Sequence, residues 1–481
     1  MHKRWTLKPL GEPGVVESLA EALNVHRALA NLLVQRGITT FDEARLFFRP
    51  ELDHLHDPWL MQDMDKAVTR IQQAIANGES ILVYGDYDVD GTTAVAAVFG
   101  YLSQVHNALD FYIPDRYSEG YGVSRQGIDY AAAHGHHLVI TLDCGIKAHE
   151  NVAYAHSLGI DCIVCDHHLP DDTLPEAVAV LDPKRNDCEY PFKELSGCGI
   201  GIKLIQALQQ QAGAATSALD PFLDLAAISI ACDIVPIVGE NRVLAHYGLK
   251  QLNKAPRQGI KALLDIAQKK RDLTVTDLVF VIGPRINAAG RMEHGKKAVE
   301  LLLTDNNAAA ADQGQNINLN NVLRQDVDLA ITQEALEMIK DDADMQGAST
   351  TVLFHPEWHK GVIGIVASRL IENYYRPTIL FTRSNGMATG SARSVKGFDI
   401  HQALEACADL LEQFGGHKYA AGMTIQEANI PAFRKRFEDV VRESINPASL
   451  VPEVIIDSEL HFAQITPKFF RITRQLGPFG P

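Results

Sequence analysis

Residues 81–102, ILVYGDYDVDGTTAVAAVFGYL, decide the fold, because an apolar run passes through an acidic glycine turn into a helical stretch. A short, continuous apolar run is typical of a strand that is buried on both faces. Four similar runs follow: LDFYIPD (109–115), HLVITLD (137–143), DCIVCD (161–166) and AVAVLD (177–182). Helical stretches such as AHENVAYAHSLG (148–159) separate several of them. The alternation predicts an α/β fold with a doubly wound, mainly parallel sheet.

Each of these five runs ends in an aspartate, at positions 86, 115, 143, 166 and 182. In open α/β sheets the ligand crevice lies outside the carboxyl ends of the strands. We therefore expect several of these carboxylates to converge on one site.

The first run continues into Asp86, Asp88 and Asp90. On an extended segment alternate residues point the same way, so the three carboxylates would crowd one face. Like charges at that spacing repel unless a cation compensates them. A solvated acidic turn is the alternative. An EF-hand calcium loop is excluded, since its twelfth position is Ala97 rather than a glutamate.

Further candidates are Asp143, the run Asp166-His167-His168, and Asp233 in AISIACDIVP, although a single aspartate before a turn is equally often a cap. Carboxylates combined with imidazole suit manganese, and magnesium or zinc also fit. The number of acids is sufficient for two ions, which can clamp the attacking and leaving oxygens of a phosphoryl displacement. Cys162 and Cys165 face opposite sides of their strand and are interpreted as core.

Composition limits the class of protein. A chain of 481 residues exceeds one hydrophobic core, which predicts two or three domains. The net charge of −16 argues against a basic nucleic-acid-binding surface overall, but binding needs only a local basic channel. The sequence has no membrane-spanning run and no secretory signal, and its seven cysteines form no disulfide pattern. We expect a cytoplasmic protein without a membrane partner.

Basic residues in glycine-flanked loops are candidates for phosphate binding. They are Arg116, Arg285, Arg291 and Arg393, with Ser391 beside the last. The planar guanidinium matches phosphate oxygens, and the serine adds a hydroxyl donor. Any one of these arginines alone would more often form a surface ion pair. His359, in HPEWHKG, is equally well interpreted as a substrate contact or a structural histidine.

The motifs DYDVDG, IPDR, TLDCG, CDHH and ACDIVP, in this order, resemble the DHH phosphoesterase superfamily. GPRINAAGRM, HPEWHKGVIGIVASR and GGHKYAAG are similar to its exonuclease branch, which carries a second domain of the DHHA1 type. The resemblance implies metal ligation by Asp88, Asp90, Asp143, His167 and Asp233. It implies a catalytic role for this set together with Asp86, Asp166 and His168, with Asp86 as ligand or as its partner and His168 facing the scissile phosphate.

The same resemblance implies a pocket for a 5′-terminal phosphate formed by Arg285, Ser391 and Arg393, with Arg116 near the scissile bond. It implies DNA contacts from Gly416 and His417 in the DHHA1 domain. The predicted domains are an N-terminal helical segment (1–55), the DHH domain (56–304), a long linking helix (305–344), the smaller α/β DHHA1 domain (345–450) and the incomplete beginning of an OB-fold (451–481).

The function that the resemblance implies is 5′→3′ exonucleolytic hydrolysis of single-stranded DNA to 5′-mononucleotides in repair and recombination. It implies two Mn²⁺ ions, with Mg²⁺ as a substitute, and a monomer that works with single-strand-binding protein and a helicase. Two alternatives stay open: a DHH phosphodiesterase for short oligonucleotides or cyclic dinucleotides, and a non-catalytic replication scaffold. Such scaffolds lose the metal ligands, all of which are present in this chain.

Overall fold

A computed structural model describes residues 2–480, except for the side chains of residues 216 and 217. The chain divides into two compact units. The larger unit comprises Glu12–Asn321 and the residues from His461 onward, and the smaller unit comprises the residues up to Gly11 and Val322–Leu460. Among the described residues, no helix combines the length and apolar character that crossing a membrane requires.

The strands, in chain order, are β1 Arg4–Leu7, β2 Ile81–Gly85, β3 Leu109–Tyr112, β4 Leu138–Leu142, β5 Asp161–Cys165, β6 Ala179–Leu181, β7 Thr351–Phe354, β8 Thr378–Ser384, β9 Met387–Arg393, β10 Gln413–His417, β11 Ala420–Ile425 and β12 Glu453–Ile456.

The α-helices are α1 Pro13–Leu23, α2 Arg27–Val34, α3 Phe41–Phe48, α4 Met64–Asn77, α5 Val89–Leu102, α6 Arg125–Ala133, α7 His149–Ser157, α8 Gly197–Gln211, α9 Leu223–Cys232, α10 Gly239–Lys254, α11 Gln258–Ile266, α12 Val275–Asp277, α13 Gly283–Met292, α14 Lys296–Leu303, α15 Asn307–Asp341, α16 Ala343–Gln346, α17 Ile363–Asn373, α18 Ile400–Glu405, α19 Ile430–Ser444 and α20 Pro467–Gln475. A π-helical turn, Leu278–Ile282, precedes α13.

The larger unit contains a parallel sheet with the strand order β3-β2-β4-β5-β6. Every residue of β2 and β4 is buried, since hydrophobic clusters cover both faces of the sheet. This confirms the predicted doubly wound fold. The strand order reverses direction between β2 and β4, and a crevice is expected outside the carboxyl ends of strands at such a switch point.

Helices α9 and α10 of the larger unit pack closely at Gly248. A Cβ atom at this position would lie 2.0 Å from the carbonyl oxygen of Leu223 and 2.5 Å from the Cβ atom of Ala227. The carbonyl belongs to the backbone of α9, so it cannot move aside as a flexible side chain would. The absence of a side chain is what permits this helix contact.

We expect Gly248→Ala to destabilise the larger unit by about 2 kcal/mol, because overpacking against a backbone oxygen, about 3 kcal/mol, outweighs a gain in helix propensity of about 1 kcal/mol. The melting temperature should fall by about 5 °C. Gly100→Ala is the matched control, since its new Cβ atom would make only an ordinary contact, 3.5 Å from Leu303. Equal melting temperatures for the two variants would contradict the packing explanation.

The smaller unit contains a mixed sheet in the order β10-β11-β9-β8-β7, in which only the β7–β8 pair is parallel. Its faces bury two hydrophobic clusters. A separate two-stranded ribbon pairs β1 with β12 in parallel. The sequence DIHQALEACADLLEQF (399–414) suggests one helix, but α18 ends at Glu405 and residues from Gln413 onward form β10. The prediction of a helix over the whole segment is wrong, because pairing with β11 takes its last residues.

Helix α15 is continuous over 35 residues. Its apolar positions are not all buried. Ile331 and Ala335 lie in a core cluster of the smaller unit, whereas Leu319 and Leu323 are 57% and 53% exposed. The long helix is therefore observed, while the domain boundaries, including the beginning of an OB-fold at 451–481, stay predictions.

Candidate functional site

Three of the five parallel strands deliver a carboxylate to one edge of the larger unit's sheet. Asp86 follows β2, Asp143 follows β4, and Asp166 follows β5, and all three side chains are buried. Asp143 has a φ of 59°, a left-handed conformation that aspartate tolerates better than most residues. The expected convergence at the switch point is observed for these three.

The other two aspartates at strand ends have different surroundings. Asp115 is a turn residue, because its carboxylate accepts hydrogen bonds from the backbone N–H groups of Tyr117 and Ser118. Asp182 is fully buried and accepts a bond of 2.7 Å from the N–H of Lys184. Burial raises the pKa of Asp182 to about 7.

The expectation that Asp86, Asp88 and Asp90 alternate on an extended segment is wrong. Helix α5 begins at Val89, so Asp90 lies in its first turn and Asp88 caps its N-terminus by accepting a 3.1 Å bond from the N–H of Gly91. A Cβ atom on Gly91 would lie 2.5 Å from the carbonyl oxygen of Asp86. The acids therefore come together because a glycine lets the helix start tightly against the strand end.

Asp90 is held by residues that are distant in sequence. Its carboxylate accepts hydrogen bonds from the N–H groups of Gly197 (2.7 Å) and Cys198 (2.8 Å), and from the hydroxyl of Ser229 (2.6 Å). The first two belong to the N-terminus of α8, whose positive dipole favours a carboxylate. The sequence pattern did not predict these supporting residues; the local signal is the N-cap serine at the start of SGCG (196–199).

His167 faces the acids with an unprotonated nitrogen. Its Nδ1 lies 3.0 Å from the carbonyl oxygen of Leu195, to which it can only donate. Its Nε2 lies 3.2 Å from Asp143 Oδ1, 3.6 Å from Asp233 Oδ2 and 3.7 Å from Asp90 Oδ2. Nε2 is buried without a hydrogen-bond partner, and burial lowers the pKa of the imidazole. A lone pair surrounded by carboxylate oxygens is the arrangement of a metal ligand whose other nitrogen is fixed by a carbonyl.

Asp233 reaches the site from the end of a helix. It is the C-cap residue of α9, which the sequence did not distinguish from the end of a strand. Burial and the charges of Asp90 and Asp88 raise its pKa to about 8. The pKa of Asp143 is also raised well above its ordinary value, through burial and then repulsion from Asp90. A negative charge on every one of these acids at once is strongly unfavourable unless a cation is present.

The residues fit divalent cations. Two sets of three possible ligand atoms lie within 4.8 Å of one another, and they are contributed by Asp143, His167 and His168, and by Asp90, His167 and Asp233. Oxygen atoms with one shared imidazole form a donor set for a hard or borderline divalent ion. Asp86 has one buried oxygen without a hydrogen-bond partner, and burial followed by repulsion from Asp88 raises its pKa.

Asp166 orients His168. Its carboxylate accepts the N–H groups of Ile146, His167 and His168 and lies 2.7 Å from His168 Nδ1. Burial lowers the pKa of His168, but the hydrogen bond and charge of Asp166 outweigh it and raise the pKa to about 9. Asp166 therefore fixes the orientation of the His168 ring beside the acid cluster.

A second group of candidates surrounds the acids in the larger unit. The guanidinium of Arg116 lies 4.6 Å from the centre of the Tyr87 ring, and its charge partly opposes the rise in the pKa of Asp86 that burial causes. The ring of Tyr121 packs edge-on at 6.1 Å against both Tyr87 and His168. An arginine and an aromatic surface thus adjoin the carboxylates.

Arg285 and Arg291 lie on α13, in the same unit. Arg285 donates to the carbonyl oxygen of Val281 (2.7 Å) and to Asn318 Oδ1 (3.1 Å). The carbonyl oxygen of Arg291 accepts the hydroxyl of Tyr117. These bonds fix where both residues lie, and their guanidinium roles stay predictions.

The remaining candidates lie in the smaller unit, where Ser391, Arg393 and His417 share one face of the sheet. The register aligns Ser391 with Gly422 and Gly415, and Arg393 with Ala420 and His417. No atom lies within 4 Å of a Cβ built on Gly415 or Gly422. We call this open surface, formed by Ser391, Arg393, His417 and the two glycines, the glycine basin.

The N-terminal turn of α17 borders the glycine basin. A Cβ atom on Gly364 would lie 2.8 Å from Ser391 Oγ and 2.9 Å from a guanidinium nitrogen of Arg393. A helix N-terminus beside an arginine and a serine hydroxyl is suited to a phosphate group. His359 lies in the loop before this helix, where its Nδ1 accepts the N–H of Gly361 at 3.2 Å. Gly416 has a φ of 142°, a conformation that favours glycine, so the backbone of the hairpin is sufficient to explain the glycine at this position.

Family models match both parts of the chain. The N-terminal domain of the DHH family matches residues 80–230, and the DHHA1 domain matches residues 345–443. Together with the acid cluster, they define a phosphoesterase of the DHH class.

Individual relatives show to which family within this class the chain belongs. A Bacillus subtilis protein named single-stranded-DNA-specific exonuclease RecJ is 38% identical over 97% of this chain and 58% of its own length. The Salmonella typhimurium protein of that name is 36% identical over 94% of this chain and 81% of its own length. A crystal structure of RecJ with Mn²⁺ from Thermus thermophilus superimposes with a TM-score of 0.86 at 30% identity, covering 99% of this chain and 68% of that chain. The chain belongs to the RecJ family.

Proposed function

We propose that this protein is a metal-dependent exonuclease that hydrolyses single-stranded DNA from its 5′ end to 5′-mononucleotides, in DNA repair and recombination. The observation that carries the proposal is the buried Nε2 of His167, which lies within 3.7 Å of carboxylate oxygens of Asp90, Asp143 and Asp233 and has no hydrogen-bond partner. The names of the RecJ relatives support the substrate class.

Asp88, Asp90, Asp143, His167 and Asp233 are the proposed ligands of two divalent ions, with Asp86 beside them. Mn²⁺ is the proposed ion, and Mg²⁺ a substitute, because carboxylate and imidazole donors suit Mn²⁺ and the Thermus relative holds it. Bound at this cluster, the ions would polarise the phosphodiester and activate water. The chain itself fixes Asp90 through α8 and Ser229. His168, which Asp166 holds at Nδ1, is the proposed contact to a phosphate oxygen.

The proposed DNA contacts divide between the units. Arg116 and Tyr121 adjoin the acids, and Arg285 and Arg291 lie on α13 in the larger unit. In the smaller unit, the glycine basin and the first turn of α17 form the proposed site for a 5′-terminal phosphate. Of the other candidates, His359 lies in the loop before α17 and Gly416 follows Gly415. Single-strand-binding protein, a helicase and the monomeric state stay predictions of the family resemblance.

The direct test uses one DNA strand, labelled separately at its 5′ and 3′ ends and incubated with the protein and Mn²⁺. We expect mononucleotides from the 5′ end first, with little degradation of the same sequence as a blunt duplex. First release of the 3′ label, or cleavage only of dinucleotides, would contradict the proposal.

We expect Arg393→Gln to raise KM for a 5′-phosphorylated strand about tenfold to a hundredfold, because a hydrogen bond to a charged group contributes about 1.5–3 kcal/mol. The value of kcat should change little, since Arg393 is not among the candidate metal ligands. A steady-state comparison of 5′-phosphate and 5′-hydroxyl strands measures the effect. Arg383→Gln is the control, as Arg383 is paired with Glu427 on the surface. Equal KM changes for both kinds of 5′ end would count against a phosphate site.

A further inference from the structure

Glu334, on α15 in the smaller unit, holds the loop that precedes α17. One of its carboxylate oxygens accepts the indole N–H of Trp358 at 2.6 Å, and the other lies 3.3 Å from His355 Nε2. Both partners belong to the sequence HPEWHKG (355–361), between β7 and α17. One carboxylate therefore fixes two positions of the same loop.

The loop is further ordered around Trp358. This side chain is 5% exposed and packs with Ile331 and Val362 in a core cluster, and its ring stacks on His355 at 5.6 Å. The hydroxyl of Thr382 donates to the carbonyl oxygen of Trp358 at 2.5 Å. The indole thus enters the core, while its only polar atom is directed to Glu334.

The loop continues directly into the N-terminal turn of α17. The carbonyl oxygen of His359 accepts the N–H groups of Val362 (2.9 Å) and Ile363 (3.2 Å). Gly364, one residue further on, packs against Ser391 and Arg393. The loop that holds Trp358 is therefore continuous with the first turn of α17, and this turn lies beside the glycine basin.

The contacts of Glu334 orient the loop more than they stabilise the fold. Its side chain is 46% exposed, and partly exposed carboxylates usually contribute little to the free energy of unfolding. Both of its carboxylate oxygens nevertheless contact the loop, one at Trp358 and the other at His355. Glu337, one turn away on α15, is exposed and provides a natural comparison.

We propose that Glu334 is a positioning residue for the 5′-phosphate site: through Trp358 and His355 it sets the loop that aligns the first turn of α17 with Ser391 and Arg393. This inference rests on the proposed function and deepens it. It assigns the selection of phosphorylated 5′ ends partly to a residue that does not touch the phosphate.

The experiment compares Glu334→Ala, Glu334→Gln and the control Glu337→Ala on strands with a 5′-phosphate or a 5′-hydroxyl. For Glu334→Ala we expect KM on the phosphorylated strand to rise about tenfold, with kcat and the 5′-hydroxyl KM unchanged. Glu334→Gln should recover most of the loss, since its amide oxygen can still accept the indole N–H. Glu337→Ala should match the wild type.

Tryptophan fluorescence provides an independent readout. The protein has three tryptophans, of which Trp5 and Trp59 are exposed or partly exposed. In a Trp5→Phe, Trp59→Phe background, acrylamide should quench the fluorescence of Trp358 more strongly when Glu334→Ala is added. Adding Glu337→Ala should leave the quenching of that background unchanged.

Two outcomes would overturn the inference. One is an unchanged preference for 5′-phosphate in Glu334→Ala, and the other is an equal loss on both strands together with a lower melting temperature. If the wild type cleaves neither strand, the proposed function itself fails. In that case, loss of binding of the phosphorylated strand by Glu334→Ala, measured by fluorescence anisotropy, would still support the positioning role, and unchanged binding would refute it.

Discussion

Asp143→Asn should lower the rate of single-strand cleavage about 10³-fold, the upper end of what one preorganised electrostatic group contributes. Asp143 Oδ1 lies 3.2 Å from His167 Nε2 and belongs to one of the two candidate ligand sets. An amide keeps the shape of the side chain but removes its charge. We therefore expect kcat to fall, while DNA binding through the proposed basic contacts persists.

The same substitution should leave the fold as stable as the wild type or more stable. Burial and repulsion by Asp90 raise the pKa of Asp143 well above its ordinary value, so the charged form is disfavoured in the folded protein. Removing the charge relieves that repulsion. The measurements are single-turnover cleavage with Mn²⁺ and thermal melting with a chelator.

Asp161→Asn is the matched control, because Asp161 begins β5 at the opposite end of the same sheet and pairs with Arg70 at 2.6 Å. It should keep cleavage and lose a little stability. Mn²⁺-dependent cleavage by Asp143→Asn at the rate of this control would refute the assigned site.

Gly197→Ala should be the second strongest change, lowering cleavage about 100-fold or more because small displacements of a catalytic group are costly. A Cβ atom on Gly197 would lie 2.6 Å from Asp143 Cβ and 2.9 Å from Asp143 Oδ1. The N–H of Gly197 also holds Asp90 Oδ2. The added methyl group would therefore displace one candidate ligand and disturb the support of another.

Helix α8 offers a control two residues away. The nearest atoms to a Cβ on Gly199 would be Ser196 Oγ at 3.3 Å and two Leu195 atoms at 3.4 Å, and none of these belongs to an acid of the cluster. Both positions lie in the first turn of α8, so the two substitutions should change helix propensity by a similar amount. Gly199→Ala should consequently stay active. Similar activities for the two variants, measured beside their melting temperatures, would show that Asp143 does not need its observed position.

The sequence was sufficient to predict much of the fold of the larger unit. Alternating apolar runs and helical stretches predicted the parallel sheet, and the rule for strand ends predicted that Asp86, Asp143 and Asp166 would meet. This succeeded because buried parallel strands have a simple pattern that depends on few distant contacts.

Other parts of the site depend on contacts that no local pattern contains. AISIACD suits a strand or a helix, so the position of Asp233 at the end of α9 was not predictable from periodicity. Ser229 is 139 positions from the carboxylate of Asp90 that it supports. The glycine basin likewise depends on the register that places Ser391 beside Gly422 and Gly415.

Titration with Mn²⁺, monitored by the loss of the electron paramagnetic resonance signal of the free ion, tests the central claim most directly. The wild-type chain should bind about two ions, and His167→Ala, which removes the imidazole that both ligand sets share, should lose most of this binding while retaining its circular dichroism spectrum. Equal Mn²⁺ binding by the two proteins would contradict the assignment of the cluster as a metal centre.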